Sequence, residues 1–376
     1  MTAPAMAITE PAHAVPPADP FVVEEVALAA RNHGLPLEGL RYAVTPVGMH
    51  YLLTHFDIPV VDPATWRLEV GGMVERPLSL SLDEVRARPA RTTAVTMECA
   101  GNGRAGLSPR PASQPWLYEA VGTGAWTCTP LRGLLDEAGV APEALEIVFS
   151  GLDRGLEEGI EHAYERSLTL DDARREDVVL AWALNGLPLP PQHGFPLRLV
   201  VPGWYGMASV KWLGSIRAVP APFEGIQQVQ RYRVSTSPEE PGEPITRMAP
   251  RSLMVPPGVP DFLARRRFVD PGPCRLEGRA WSGRGVVERV EVSADGGATW
   301  LEADLEPDPE PWAWRGWAAT WEPAGPGDYE LCSRATDATG QRQPLEPTWN
   351  LGGYLNNAVQ RVPVTVRAAA EGQAAT

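Results

Sequence analysis

Lysine is almost absent from this chain. Of the 33 basic residues, Lys211 is the single lysine and the other 32 are arginines. The acidic side chains number 47, which gives a formal net charge of −14, and the basic residues form no run of five. An acidic chain without a basic stretch argues against nucleic acid or an anionic membrane as the main partner.

Cysteine is also scarce. The four cysteines, Cys99, Cys128, Cys274 and Cys332, include no CxxC pair. This spacing excludes the common zinc motifs and gives no evident disulfide framework. Cys274 and Cys332 both fall in strand-like segments and could face each other, at a separation that the sequence does not fix. We expect all four to be reduced.

Long apolar runs are missing as well. No window of eighteen apolar residues is present, so no membrane-spanning helix is predicted. Residues 1–20 are rich in alanine and proline but lack the basic start and the apolar run of a signal peptide. We expect a cytoplasmic protein, or a periplasmic one if an export signal has been removed.

The composition that remains is that of a folded protein with two domains. Hydrophobic residues make up 44% of the 376 residues and charged residues 21%, and there are 13 tryptophans. Proline is dense between 238 and 260, which indicates a domain boundary. The predicted units are an N-terminal extension (1–40), a first domain (41–245), a second domain (246–368) and a disordered tail (369–376).

Hydrophobic patterns predict an α+β fold. In the first domain they indicate mixed α and β elements, and in the second domain short alternating strands typical of an immunoglobulin-like β-sandwich. The individual predictions are helices at 22–30, at 82–85 behind the cap Ser81 and at 130–138, strands at 51–56, 92–97, 146–150 and 195–202, a hairpin at 63–82, and second-domain strands at 274–281, 286–293, 312–321, 329–336 and 359–366.

The segment from Met97 to Arg104, Met-Glu-Cys-Ala-Gly-Asn-Gly-Arg, indicates a site. It places Cys99 in a glycine-rich turn with a permanent cation, Arg104, five residues later. A thiolate is a soft metal ligand, and the cation can hold an anionic substrate or favour the thiolate. Taken alone, the segment also fits a buried cysteine before a Gly-Asn-Gly hairpin.

Lys211 lies between glycines and aromatic residues in the segment 203–212, Gly-Trp-Tyr-Gly-Met-Ala-Ser-Val-Lys-Trp. An ammonium group there is a compact point charge suited to a phosphate or a pterin oxygen. The plainer interpretation is a single lysine that survived a coding bias toward arginine. We favour the functional interpretation because of the surrounding residues.

Together, these segments resemble the sulfite oxidase-like molybdopterin oxidoreductases over residues 45–366. The resemblance implies a molybdenum domain of mixed α and β structure followed by an immunoglobulin-like domain that mediates dimers. It rests on an ordered series of short motifs: TWRLEV at 65–70, ECAGNGR at 98–104, NG at 185–186, HGFPLR at 193–198, SVKWL at 209–213, WSG at 281–283, DGGATW at 295–300 and WNL at 349–351.

The resemblance also implies roles for single residues. Cys99 would be the protein ligand of a molybdenum that a molybdopterin dithiolene holds. The positions matching pterin or phosphate contacts are His55, His193, Arg198, Ser209 and Lys211, and those matching the substrate pocket are Arg104, Trp116 and Tyr232. Without the resemblance, His55 reads equally well as a strand histidine and His193 as a loop histidine, and Arg198 is more readily interpreted as a surface strand residue. For Tyr232, core or loop packing is the less favoured alternative.

Two departures from the family pattern concern the substrate. Leu53 and Gly352 stand where sulfite oxidisers carry pocket arginines, and Arg31, in the triplet Arg31-Asn32-His33, lies too early in the sequence to replace the first. Charge-assisted bonds to a buried dianion contribute about 1.5–3 kcal/mol each, so sulfite binding would be weaker by roughly two to four powers of ten. We therefore expect another substrate, such as a sulfoxide or an organic oxo compound, with sulfite as a poor one.

The expected partners follow from the same resemblance. The sequence has no cytochrome, haem or flavin motif, so electrons would pass through a separate partner, for which the acidic surface favours a small basic redox protein. A homodimer is expected. Two alternatives stay open: a cofactor-free relative that keeps the fold as a scaffold, and an adhesion or assembly module in which only the β-sandwich is active.

Overall fold

The computed structural model describes residues 32–307 and 310–368. The predicted helix at 22–30, the predicted tail and most of the N-terminal extension lie outside these ranges. None of the helices in the described ranges has the length and apolar character that crossing a bilayer would require.

The first part of the described chain is built mainly from strands. They are β1 (Leu68–Gly72), β2 (Leu78–Leu80), β3 (Arg91–Glu98), β4 (Val121–Pro130), β5 (Glu146–Glu157), β6 (Ile160–Thr169), β7 (Val179–Leu184), β8 (Leu187–Pro188), β9 (Arg198–Val200), β10 (Leu213–Val219), β11 (Arg233–Val234) and β12 (Glu243–Pro244). The helices are α1 (Leu82–Arg86), α2 (Leu131–Ala138), α3 (Leu170–Ala173) and α4 (Ile226–Val229), with 3₁₀ turns at Leu37–Arg41, Val47–Met49, Arg104–Gly106, Pro191–His193 and Gly206–Ala208.

These strands form two larger sheets. One has the order β2-β1-β10-β5-β6, in which β1 and β10 are parallel and the other pairs antiparallel. The other has the order β3-β4-β7-β8, and β9 also pairs with β7. The ends of β3 and β9 and the loops after β9 and before β1 surround one cavity.

Local sequence explains the two best-defined helices. Ser81 caps α1 with a full capping box, in which its hydroxyl accepts from the Glu84 amide and the Glu84 carboxylate accepts from the Ser81 amide. Pro130 precedes α2, and Gly139 ends it in the left-handed conformation at φ 67°. Leu131, Leu134 and Leu135 bury the inner face of α2 in the main core.

The second part of the chain consists of two sheets around a shared core. Its strands are β13 (Arg251–Met254), β14 (Val259–Pro260), β15 (Arg267–Val269), β16 (Cys274–Trp281), β17 (Val287–Ser293), β18 (Leu301–Glu302), β19 (Asp304–Leu305), β20 (Arg315–Trp321), β21 (Gly327–Asp337) and β22 (Gln360–Val366). The orders are β13-β16-β20-β19 and β14-β15-β22-β21-β17-β18. Leu276 and Trp317 of the first sheet pack with Val290, Leu331 and Val364 of the second.

Most of the element predictions are confirmed, and two need correction. The predicted strand at 51–56 is wrong, because only Leu52 forms a bridge, to His33, while the flanking side chains turn into the cavity. The α component of the predicted α+β fold is smaller than expected: strands predominate, and the described helices have four to eight residues. All four cysteines are free. The domain limits and the immunoglobulin-like class of the second part stay predictions.

Candidate active site

Cys99 lies at the end of a strand, in a turn that its glycines make possible. Strand β3 ends at Glu98, and the Cys99 amide donates to the Ala120 carbonyl at 2.9 Å. A Cβ at Gly101 would come within 2.6 Å of the Arg104 guanidinium, and Gly103 has φ 93°. The turn therefore packs its backbone against Arg104 and leaves the Cys99 side chain 7% exposed at the cavity.

The surroundings of Cys99 favour the protonated form of its thiol. Burial raises the pKa of the thiol, and the nearby Arg104 charge opposes this shift. A bound metal cation stabilises the thiolate and displaces the proton. Within the described residues no cluster of three or more His, Cys, Asp or Glu side chains could hold a metal. The family resemblance implies that a metal at Cys99 would take its other ligands from a cofactor.

Five predicted cofactor contacts share one cavity with Cys99: His55, His193, Arg198, Ser209 and Lys211. Arg198 donates to the carbonyls of His193 at 3.0 Å and Ser209 at 3.1 Å. The Ser209 hydroxyl accepts from the Val201 amide at 3.1 Å. Strand β9 and the loop after it therefore place these residues at the cavity wall.

Lys211 and Arg198 bring two positive charges into the protein, which the Asp153 carboxyl offsets only in part. Lys211 Nζ donates to the carbonyls of Leu53 at 2.9 Å and Gln192 at 3.1 Å. Burial and then the Arg198 charge lower the pKa of Lys211 to about 7, and burial lowers the pKa of Arg198 to about 10. Asp153 also lines this cavity, and burial raises its pKa to about 6. A bound phosphate would stabilise both cations.

Three imidazoles at the cavity are neutral. Burial is the main cause that lowers the pKa of His50 to about 4, of His55 to about 3 and of His193 to about 2. His50 Nδ1 lies 3.1 Å from the Tyr51 carbonyl, so Nδ1 carries the proton and Nε2 is an acceptor. Sequence reasoning missed His50, and no motif around it would have marked it.

Buried polar atoms without partners test whether these residues fit the cofactor. His50 Nε2 and Arg198 Nε have no hydrogen-bond partner within the described residues. Both residues line the cavity. Such atoms are rare in native proteins unless a ligand or water satisfies them. With the buried cations and one soft metal ligand, they fit an anionic, nitrogen-rich cofactor.

Of the three predicted substrate residues, Tyr232 lines the cavity, and Arg104 and Trp116 are not among its lining residues. Arg104 donates to the carbonyls of Gly352 and Gln114, both at 3.0 Å, and forms none of the ion pairs within the described ranges. Tyr232 adopts φ 55°, and its hydroxyl lies 2.5 Å from His55 Nε2. Trp116 packs with Cys99 and Ala120. Tyr232 therefore shares the cavity with Cys99, whereas Arg104 packs against the Cys99 turn and Trp116 against Cys99 itself.

The two positions without arginine are also at the site. Leu53 lines the cavity. At Gly352 a Cβ would lie 2.3 Å from the Tyr354 ring, so Tyr354 fills the adjoining space. Asn32 accepts from the Thr54 amide at 2.9 Å, which places this early segment beside Leu53, whereas sequence distance alone set it apart. Arg31 lies outside the described residues.

The second part of the chain holds the Cys99 turn. The buried Glu98 carboxylate accepts from Arg251 at 2.6 Å and from Trp281 at 2.8 Å, and Asn102 donates to it at 3.0 Å. The Asn356 amide side chain donates to the Gly103 carbonyl at 2.7 Å. Sequence reasoning missed the contacts of Arg251, Trp281 and Asn356, because they join residues over 150 positions apart. These contacts connect Glu98 and Gly103, on either side of Cys99, to the second part of the chain.

Comparison with known proteins agrees with this geometry. The oxidoreductase molybdopterin binding domain matches residues 55–227, and the Mo-co oxidoreductase dimerisation domain matches residues 243–367. Sulfite oxidase of Gallus gallus is 37% identical, over 85% of this chain and 72% of that protein. An NAD(P)H nitrate reductase of Hordeum vulgare is 34% identical, over 86% of this chain and 39% of that protein.

A solved structure shows the same fold. The sulfane dehydrogenase SoxCD from Paracoccus pantotrophus superposes with a TM-score of 0.75 at 28% identity, over 89% of this chain and 86% of that chain. The fold and the cavity define a molybdopterin-dependent oxidoreductase. The chain belongs to the sulfite oxidase-like molybdopterin oxidoreductase family, whose cofactor is molybdenum held by molybdopterin.

The Lys211 environment predicts a pH-dependent stability of the cofactor-free protein. The pKa of Lys211 is about 7 in the folded state and ordinarily 10.5, so the unfolded state binds more protons between these values. As the pH rises from about 7 to 10.5, the free energy of unfolding of the wild type should increase relative to that of Lys211→Met. The increase should be up to about 1.4 kcal/mol per pH unit. Denaturant unfolding at several pH values measures the difference. Equal slopes for the two proteins would contradict it, and the exposed Arg86→Met serves as control.

Proposed function

We propose that this protein catalyses oxygen-atom transfer on a substrate less anionic than sulfite. The observation that carries the proposal is the apolar side chain of Leu53 in the cavity wall that contains Cys99. Two arginines of the family pattern are replaced, at Leu53 and Gly352, and Arg104 is engaged with two backbone carbonyls. A dianion entering this pocket would lose much of its hydration for few new charge-assisted bonds.

When bound, the molybdenum cofactor supplies the oxygen-atom transfer itself. The protein residues bind, orient and exclude water. Lys211, Arg198 and Ser209 would hold the anionic end of the cofactor, and the Cys99 thiolate would ligate the metal. Arg104 and Tyr232 would orient the substrate oxygen, and Trp116 would close the pocket against solvent.

Assembly and electron transfer are part of the same proposal. The second part of the chain matches a dimerisation domain, which supports a homodimer through a sandwich of the immunoglobulin type. We propose that a separate redox protein exchanges electrons with the site, and the net charge of −14 favours a basic partner. For its location we propose the cytoplasm, or the periplasm after export.

Steady-state kinetics on the cofactor-loaded protein test the substrate. We expect the wild type to turn over an organic sulfoxide with a higher kcat/KM than sulfite. Leu53→Arg should lower the KM for sulfite roughly tenfold or more, because one charge-assisted bond contributes about 1.5–3 kcal/mol. Leu53→Met, which keeps the apolar character, is the matched control.

Metal and pterin content must be measured in each preparation. A wild-type kcat/KM for sulfite above that for every sulfoxide tested would contradict the proposal. A wild type without cofactor, produced in a host that makes it, would favour the scaffold alternative.

A further inference from the structure

Arg166 is a buried cation that no motif marks. It lies on β6, and its side chain is 3% exposed. Its guanidinium donates to the Gln227 carbonyl, its Nε has no hydrogen-bond partner, and it forms none of the ion pairs between described residues. Burying a guanidinium is costly, and the charge of Glu146 offsets only part of that cost, since burial lowers the pKa of Arg166. We therefore infer the function of Arg166 from the residues that it contacts.

The main such contact is the ring of Tyr232. The Arg166 Cζ lies 5.5 Å from the centre of that ring. The Tyr354 ring lies 5.5 Å from the Tyr232 ring at an angle of 35°, and the Arg104 Cζ lies 5.1 Å from the Tyr354 ring. Two guanidiniums and two tyrosine rings thus form a continuous stack, which we call the Arg-Tyr stack. Cation–π contacts are stronger between desolvated groups, and both Arg166 and Tyr232 are buried.

The stack holds Tyr232 in a conformation that it would not adopt freely. Its φ of 55° is unusual for a bulky residue and requires support from the surroundings. In this conformation its hydroxyl lies 2.5 Å from His55 Nε2, at the cavity. If His55 Nε2 donates this bond, the hydroxyl keeps its own proton for a substrate oxygen.

We propose that Arg166 is a specificity-determining positioning residue, which clamps Tyr232 so that its neutral hydroxyl, beside the backbone-bonded guanidinium of Arg104, meets the substrate oxygen. The inference rests on the proposed function, since it explains how a pocket with few free cations selects a polar but uncharged oxo group. Arg166 itself acts through Tyr232 and does not line the cavity.

A double-mutant cycle on the cofactor-loaded protein tests this role. Arg166→Gln should raise the KM for an organic sulfoxide about tenfold, the value of one well-placed hydrogen bond, with little change in kcat. Tyr232→Phe should give a similar rise. The double variant should be no worse than the poorer single variant, because both changes remove one interaction. Additive effects would overturn the proposal.

Three controls separate positioning from folding and from charge. Arg166→Lys keeps the charge but lacks the planar face, so the KM defect should persist, and complete rescue would overturn the proposal. If Arg166→Gln is insoluble, the cycle is run with Arg166→Lys. Arg334→Gln removes a comparable contact with Trp300, 3.9 Å away in the second part of the chain, and should leave KM unchanged.

Failure of the proposed function gives a different result. In that case sulfite is turned over more efficiently than sulfoxide by the wild type itself, and the same cycle is then measured with sulfite. Non-additivity with sulfite would keep the positioning role of Arg166, whereas additivity would remove it. Molybdenum and pterin content should be equal in all variants.

Discussion

Cys99→Ser should abolish turnover while the protein stays folded. The serine hydroxyl is a hard oxygen donor with a far higher pKa than a thiol, so it is a poor ligand for a metal–dithiolene centre. Mutation of residues that hydrogen-bond to a metal ligand typically lowers metal affinity or activity 10–100-fold. Loss of the protein ligand itself should therefore lower kcat/KM by about 10³-fold or more. The measurements are kcat/KM, metal content and the thermal unfolding midpoint.

Cys274→Ser is the matched control for that substitution. Cys274 is a free, half-buried thiol on β16, remote from the cavity. Its substitution should leave metal content and turnover unchanged. A Cys99→Ser protein with more than a tenth of the wild-type activity would show that Cys99 does not ligate the metal.

Arg251→Met should destabilise the protein more than any surface substitution. Arg251 and Glu98 form an ion pair of 2.6 Å, and their side chains are 1% and 3% exposed. Removing one partner leaves a buried charge unpaired, which costs about 3–5 kcal/mol. Because Glu98 directly precedes Cys99, cofactor content should fall as well. Denaturant unfolding of the cofactor-free protein and metal analysis after loading give the two readouts.

Two further variants test the Arg251 result. Arg279→Met breaks a pair of 2.7 Å with Glu306, whose side chain is 58% exposed, and should cost much less because water solvates the remaining carboxylate. Glu98→Gln combined with Arg251→Met should recover part of the stability, since no buried charge then remains. An Arg251→Met loss no larger than that of Arg279→Met would contradict the expectation.

The sequence predicted the helices and strands that are determined by interactions within a few residues. The cap Ser81, the proline before α2 and the alternating pattern of β16 each reflect forces within a few residues. The failed strand at 51–56 has the apolar character of a strand, but its side chains line a cavity and its backbone finds a single bridge. Patterning reports burial and does not distinguish a core from a binding cavity.

The site residues also divide into those that a local motif predicts and those that depend on distant segments. Those within motifs, such as Cys99 and Lys211, were predicted, and the structure places them around one cavity. The roles assigned to them stay predictions. Glu98–Arg251, Tyr354 and Arg166 were missed because their partners come from distant segments, and a buried arginine has no sequence pattern of its own. Such pairs are a property of tertiary packing.

The dependence of the Cys99 turn on distant residues has a consequence for biosynthesis. The Gly103 and Arg104 contacts come from Asn356 and Gly352, which a ribosome adds 253 and 248 residues later. The Cys99 turn therefore leaves the ribosome before these partners have been made. We expect the turn to become well ordered only after Asn356 has been translated, so chains truncated before Gly352 should load less cofactor.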